Sequence, residues 1–124
     1  MPSATVLIVE DESDVRDVAS GYVEALGYGV LTARNGDEAL ALVETCKPDL
    51  VLLDVMMPVR SGYEVCRRMR EHDEWRHIKI IMLSAKGRDA EVNKGLSMGA
   101  DLYITKPFST RDLVSKVNAL LGPD

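Results

Sequence analysis

A chain of 124 residues with a formal net charge of −5 is the size of one domain that can bury its own core without disulfide or metal staples. Its 15 basic residues against 20 acidic ones leave no basic stripe for nucleic-acid phosphates and no surface suited to anionic membranes. Cys46 and Cys66 have no metal-ligand spacing and read as reduced thiols. The opening MPSATVLIVEDE lacks the basic region and long apolar run of a signal peptide. No segment approaches the ~18 apolar residues of a membrane span. A cytoplasmic protein without nucleic-acid or membrane contacts is expected.

The first element is the β-branched run TVLIV at 5–9. Val15, Val18, Ala19, Tyr22, Val23 and Leu26 then recur at helical spacing, with Ser13 or Asp14 to cap the start and Gly27 to end it. GVLTA at 29–33 predicts a second strand, and GDEALALVETC at 36–46 a second helix, stopped before Lys47 and Pro48. LVLL at 50–53 is apolar on both faces, as in a parallel sheet covered on both sides. GYEVCRRMRE at 62–71 predicts a helix with Val65, Cys66 and Met69 inward. IKIIML at 78–83 is a fourth strand, and AEVNKGLSMG at 90–99 a helix with a weak apolar stripe. DLYIT at 101–105 is a fifth strand. STRDLVSKVNALL at 109–121 is a last helix capped by Ser109 or Thr110, with Leu113, Val117, Leu120 and Leu121 buried.

Strands and helices that alternate in this way imply an α/β sheet with helices on both faces. Right-handed crossovers leave few topologies, and the flavodoxin-like order 2-1-3-4-5 is expected, with ligands beyond the carboxyl ends of the strands. The residues following the strands then sort. Glu10 and Asp11 follow the first, Asp54 the third, Ser84 the fourth and Lys106 the fifth. The second is followed only by Arg34-Asn35-Gly36, a turn, and in this order it is the edge strand away from the others. Taken singly, each polar residue has an ordinary explanation. The acidic pair could favour a helix start, Asp54 could be a turn residue, and Ser84 and Lys106 could be surface groups. Met56 and Met57 suit loop packing better than a thioether metal site. The weight lies in the combination.

Two unit charges 4 Å apart cost about 4 kcal/mol at an effective dielectric of about 20, so carboxylates gathered on adjacent strand ends hold a proton or bind a cation. Hard oxygen ligands without His or Cys point to Mg²⁺. With a lysine and a hydroxyl beside them, they form a phosphoryl-transfer site with a carboxylate nucleophile.

The motifs LIVEDE, PDLVLLDVMMPVRSGYEV, IIMLSAKG and GADLYITKPF, in this order and spacing, resemble the receiver domain of bacterial two-component response regulators. The resemblance runs from about Thr5 to Leu121 and implies a single receiver domain over 1–124. It implies Asp54 as the residue that takes a phosphoryl group from a sensor histidine kinase or a histidine phosphotransfer protein. It implies Mg²⁺, for which Mn²⁺ could substitute, held by Asp11, by Glu10 through water, by Asp54 and by the main-chain carbonyl of Met56. Ser84 matches the hydroxyl that moves to the phosphoryl group, and Lys106 the lysine that pairs with the aspartate and then the phosphate. Tyr103 matches the aromatic switch residue, Ala85 a small position that leaves the pocket open, and Lys106-Pro107 a bond that is usually cis. Lys86 and Met56 occupy positions that tune phosphoryl lifetime.

The implied protein is a phosphorylation-driven switch rather than an enzyme. It would alter its fourth helix–fifth strand–fifth helix surface to regulate a downstream effector or a fused output domain, as a monomer or a phosphorylation-dependent dimer. The helix at 14–26 and its adjoining loops would face the kinase. A Mg²⁺-dependent phosphatase with an aspartyl-phosphate intermediate is the alternative. Such enzymes typically carry an acid/base aspartate two residues after the nucleophile, where this chain has Met56. A flavin- or nucleotide-binding module is a third reading, but EDESD is acidic where a phosphate cradle would be glycine-rich. Both a stand-alone regulator and a receiver excised from a longer protein fit the sequence.

Overall fold

The computed structural model describes residues 4–57, 60–85 and 89–122. The elements are β1 (Thr5–Val9), α1 (Ser13–Ala25), β2 (Gly29–Ala33), α2 (Gly36–Cys46), β3 (Leu50–Asp54), α3 (Gly62–Glu71), β4 (Lys79–Ala85), α4 (Asp89–Ser97), β5 (Leu102–Lys106) and α5 (Thr110–Leu121), with a 3₁₀ turn at Asp73–Trp75. The strands form one sheet in the order β2-β1-β3-β4-β5, with every pairing parallel. This is the expected flavodoxin-like order.

Alternation along the strands divides the core in two. Leu7, Val9, Val51, Leu53, Ile80 and Met82 face α2 and α3, where they meet Ala39, Val43, Val65, Cys66 and Met69. Val6, Ile8, Leu50, Leu52, Ile81, Leu83 and Ile104 face α1 and α5, where they meet Ala19, Val23, Leu113 and Val117. Burial of β3 is complete from Leu50 to Asp54, as its uninterrupted apolar run requires. The weak stripe of α4 has a structural cause. The helix approaches the sheet through Gly95, where an added Cβ would lie 3.2 Å from Met82 Cγ, so backbone takes the place of a large side chain.

Several boundaries differ from the sequence expectation. β4 runs to Ala85 and β5 to Lys106, because Ser84 pairs with Thr105 and Ala85 with Lys106. Ser84 and Lys106 are therefore strand residues, fixed by the ladder, rather than the first residues after it. The start of α1 is not capped by Ser13 or Asp14; Glu12 is the N-cap residue and makes no side-chain cap bond. Val18 is not a core residue of α1 but stands 48% exposed. Together with Val15 it borders a recess of about 240 Å³ that also touches Pro107 and Phe108. Leu120 and Leu121 are half-buried at the rim of the core rather than within it. Lys86, to which the resemblance gives a role, and Pro58 of the PDLVLLDVMMPVRSGYEV motif lie outside the described residues. Among the described residues, no helix is long and apolar enough to cross a membrane.

Candidate functional site

Ile8, Leu52 and Ile104 all belong to the α1/α5 side of the core. Two residues further along each chain segment, alternation brings Glu10, Asp54 and Lys106 to that same side. The central strands carry these groups into register, with Val9 opposite Leu53, Asp54 opposite Leu83 and Ala85 opposite Lys106. Lys106 Nζ lies 3.1 Å from Glu10 Oε1 and 3.3 Å from Asp54 Oδ2. Carboxylate oxygens of Glu10, Asp11 and Asp54 lie within 4.8 Å of one another. Glu10 and Asp54 are buried and Asp11 is exposed, so the cluster opens to solvent on the Asp11 side.

Each oxygen of Asp54 has a donor. The Met56 N–H donates to Oδ1 at 3.2 Å, and Lys106 stands by Oδ2. Behind it, α3 begins in direct contact with the strand end. The Gly62 N–H donates to the Val55 carbonyl at 3.0 Å, and a Cβ on Gly62 would come within 2.3 Å of the Asp54 carbonyl oxygen. Only glycine allows this approach, and sequence reasoning assigned Gly62 no part in the site. Arg16 is a second neighbour that the sequence did not mark; its Nη1 donates to the Glu10 carbonyl at 2.9 Å.

Charge in this cluster is unbalanced. Burial, followed by the charge of Asp54, raises Glu10 from its ordinary 4.5 to about 7. Asp54 is raised as well, by burial, against the opposing effects of its hydrogen bond with Glu10 and of Lys106. Burial acts to lower Lys106, but Asp54 and Glu10 outweigh it and the lysine is held charged. One lysine does not balance three carboxylates, so proton uptake at Glu10 is favoured, and a cation would compete with that proton. The oxygen-only donors, their separation and the surplus negative charge all fit a hard divalent cation.

The remaining sequence-selected residues surround this centre. Ser84 is buried on the neighbouring strand, one position beyond Leu83, the register partner of Asp54; its hydroxyl lies 3.5 Å from the Ala85 carbonyl. Ala85 is exposed at the end of β4. Met56 turns its side chain to solvent. Tyr103 is outside the cluster, 38% exposed on β5, with Lys116 Nζ 5.0 Å from its ring centre. The Lys106-Pro107 bond is cis.

A family profile described as "Response regulator receiver domain" matches residues 6–118. The phosphate regulon transcriptional regulatory protein PhoB of Pseudomonas aeruginosa is 46% identical over 121 residues, which is 98% of this chain and 53% of that protein. The chain thus spans about half the length of this curated relative. Among solved structures, a Chloroflexus aurantiacus protein described as a response regulator superposes with a TM-score of 0.94 at 34% identity, covering 98% of this chain and 99% of that one. The chemotaxis protein CheY4 of Vibrio cholerae superposes with a TM-score of 0.89 at 31% identity, covering 96% and 99%.

Proposed function

The chain belongs to the response regulator receiver-domain family, and from that premise we propose that it is a phosphoacceptor switch charged at Asp54. The observation that carries this reading is the placement of Asp54. It is a buried carboxylate at the end of a central strand, with a lysine 3.3 Å from Oδ2 and two further carboxylates beside it. We take 1–124 as one receiver domain with its core at about 5–121.

An Asp54 oxygen attacks the phosphorus of a phosphohistidine on a sensor kinase or phosphotransfer protein. The P–O bond forms as the P–N bond breaks, and the imidazole leaves with the electron pair and takes up a proton. Asp11 directly, Glu10 through water, Asp54 and the Met56 carbonyl would hold Mg²⁺. When bound, that cation neutralises charge on the phosphoryl oxygens. The Met56 N–H and Lys106 orient the Asp54 carboxylate before transfer, and Lys106 then follows the new negative charge. Ser84, fixed on the adjacent strand, supplies a hydroxyl to a non-bridging oxygen. Movement of Ser84 and Lys106 toward the phosphoryl group would favour an inward Tyr103, biasing the α4–β5–α5 surface between two states. A downstream effector or a linked output unit reads that surface. The setting is cytoplasmic, where a kinase and its regulator meet.

The test is incubation with Mg²⁺ and acetyl phosphate, followed by intact-mass analysis. One labile phosphoryl group is expected on the wild-type chain and none on Asp54→Asn. Equal labelling of the variant rules out Asp54 as the acceptor.

A further inference from the structure

Among the described residues, three helices begin on a side-chain cap. Asn35 accepts from the Glu38 N–H at 2.9 Å, Ser61 from Glu64 at 3.3 Å and Ser109 from Asp112 at 3.0 Å. The helix that follows the acidic pair begins differently. Glu12 makes no cap bond. The Arg16 N–H closes the first turn on the Glu12 carbonyl at 3.0 Å, as the equivalent N–H does in the capped helices, and the Arg16 guanidinium adds a second bond by reaching back to the Glu10 carbonyl at 2.9 Å.

That second bond completes the restraint of Glu10. Its N–H donates to the Ala33 carbonyl at 3.1 Å, Oε1 accepts from Lys106 at 3.1 Å, and Oε2 accepts from the Glu12 N–H at 3.2 Å. The Glu10 carbonyl was the remaining polar group, and it lies in the same rigid peptide plane as the Asp11 nitrogen. Whatever orients this carbonyl also sets the line of the Asp11 N–Cα bond, from which its side chain projects. Asp11 is the exposed member of the carboxylate cluster and lacks the burial that fixes the other two.

We propose that Arg16 is a positioning residue for the cation site, holding the Glu10–Asp11 peptide plane so that the Asp11 carboxylate stays beside those of Glu10 and Asp54. The inference rests on the reading of Glu10, Asp11 and Asp54 as cation ligands. It has a sign that separates it from simple electrostatics. Arg16 is a positive charge next to a cation site, so by charge alone its removal tightens cation binding. By loss of positioning, its removal weakens it.

The experiment is a Mn²⁺ titration of the unphosphorylated protein, with free Mn²⁺ followed by electron paramagnetic resonance. Loss of a group that orients a metal ligand typically weakens affinity about 10–100-fold, and that range is expected for Arg16→Met. Arg16→Lys, which keeps the charge and one donor for the single carbonyl, is expected to recover most of the loss. A merely structural role would lower the melting temperature of Arg16→Met and leave the affinity of the folded protein unchanged. Binding by folded Arg16→Met as tight as wild type, or tighter, overturns the proposal. Should Arg16→Met prove unfolded, Arg16→Gln is titrated in its place with the same two outcomes. Asp11→Asn separates the two levels. If it binds Mn²⁺ like wild type, the ligand reading fails and takes the Arg16 inference with it. If it loses binding while Arg16→Met does not, only the Arg16 inference fails.

Discussion

At the amino-terminal ends of the strands, Asp49 and Asp101 each accept a strand N–H: Asp49 from Thr5 at 2.8 Å, and Asp101 from Ile80 at 2.8 Å. Asp101 also pairs with Arg70, whose guanidinium donates to the carbonyls of Gly99, Arg76 and Ile78. At the carboxyl-terminal ends, Glu10, Asp11 and Asp54 face one another across a gap bridged by Lys106. The same residue type thus does opposite work at the two ends of one sheet. At one end carboxylates satisfy backbone donors and knit loops together. At the other they are crowded beyond what their partners neutralise, which costs stability and favours a bound cation.

Substitutions should therefore separate stability from function according to the end they touch. The largest effect is expected where the fold and the site meet. Gly62→Ala places a Cβ against the Asp54 carbonyl and should cost about 3 kcal/mol through overpacking, while slowing phosphoryl uptake from acetyl phosphate. Unaltered uptake would show that α3 does not hold the site. Arg70→Met, at the other end, removes a guanidinium serving several carbonyls and should cost about 2–3 kcal/mol in urea unfolding. Its uptake rate should match wild type; a large rate defect would erase the distinction between the ends.

The pH dependence should show the crowding directly. Glu10 rises from its ordinary 4.5 to about 7 in the folded cation-free chain. Below 4.5 both states hold the proton and no penalty exists. As pH climbs, the unfolded chain ionises first, so stability is lost up to about 7 and then levels off. We expect a loss of roughly 2 kcal/mol, shared with Asp54, and a flatter profile for Glu10→Gln. Mg²⁺ affinity should climb through the same interval as the cation displaces the proton. A wild-type profile no steeper than that of Glu10→Gln would mean the carboxylates are not in conflict. The smallest effect is a gain. Asp54→Asn relieves one buried charge and should stabilise the cation-free protein by about 1 kcal/mol in the same urea assay, and it should abolish uptake. A destabilised variant would contradict the account.

Much of this molecule is legible in its amino-acid order, because strand and helix periods are local properties. The LVLL run of β3 and the spacing of Val65, Cys66 and Met69 on α3 carry their burial in plain view. The strand order then gathers Glu10, Asp11, Asp54 and Lys106 to one rim, and the structure brings all four together. What escapes the sequence depends on distant partners. β4 and β5 end later than their apolar runs because each extends the other's ladder, to Ala85 and Lys106. The turn at Asp73–Trp75 is too short to show a period. Val18 continues the α1 stripe yet borders the recess it shares with Pro107 and Phe108 of the loop after β5. The roles of Gly62 and Arg16 come from a close approach and a side chain reaching back six positions, and neither has a local signature.

The central claim is that the crowded rim is one phosphoacceptor site with Asp54 as its nucleophile. Its most direct measurement is phosphorylation of the wild-type chain by acetyl phosphate, with and without Mg²⁺, followed by borohydride reduction and peptide mapping. Reduction of an acyl phosphate converts the acceptor aspartate to homoserine. The account predicts this conversion at position 54 alone, and only when the cation is present. Conversion at another carboxylate, or equal conversion after chelation of the cation, would contradict it.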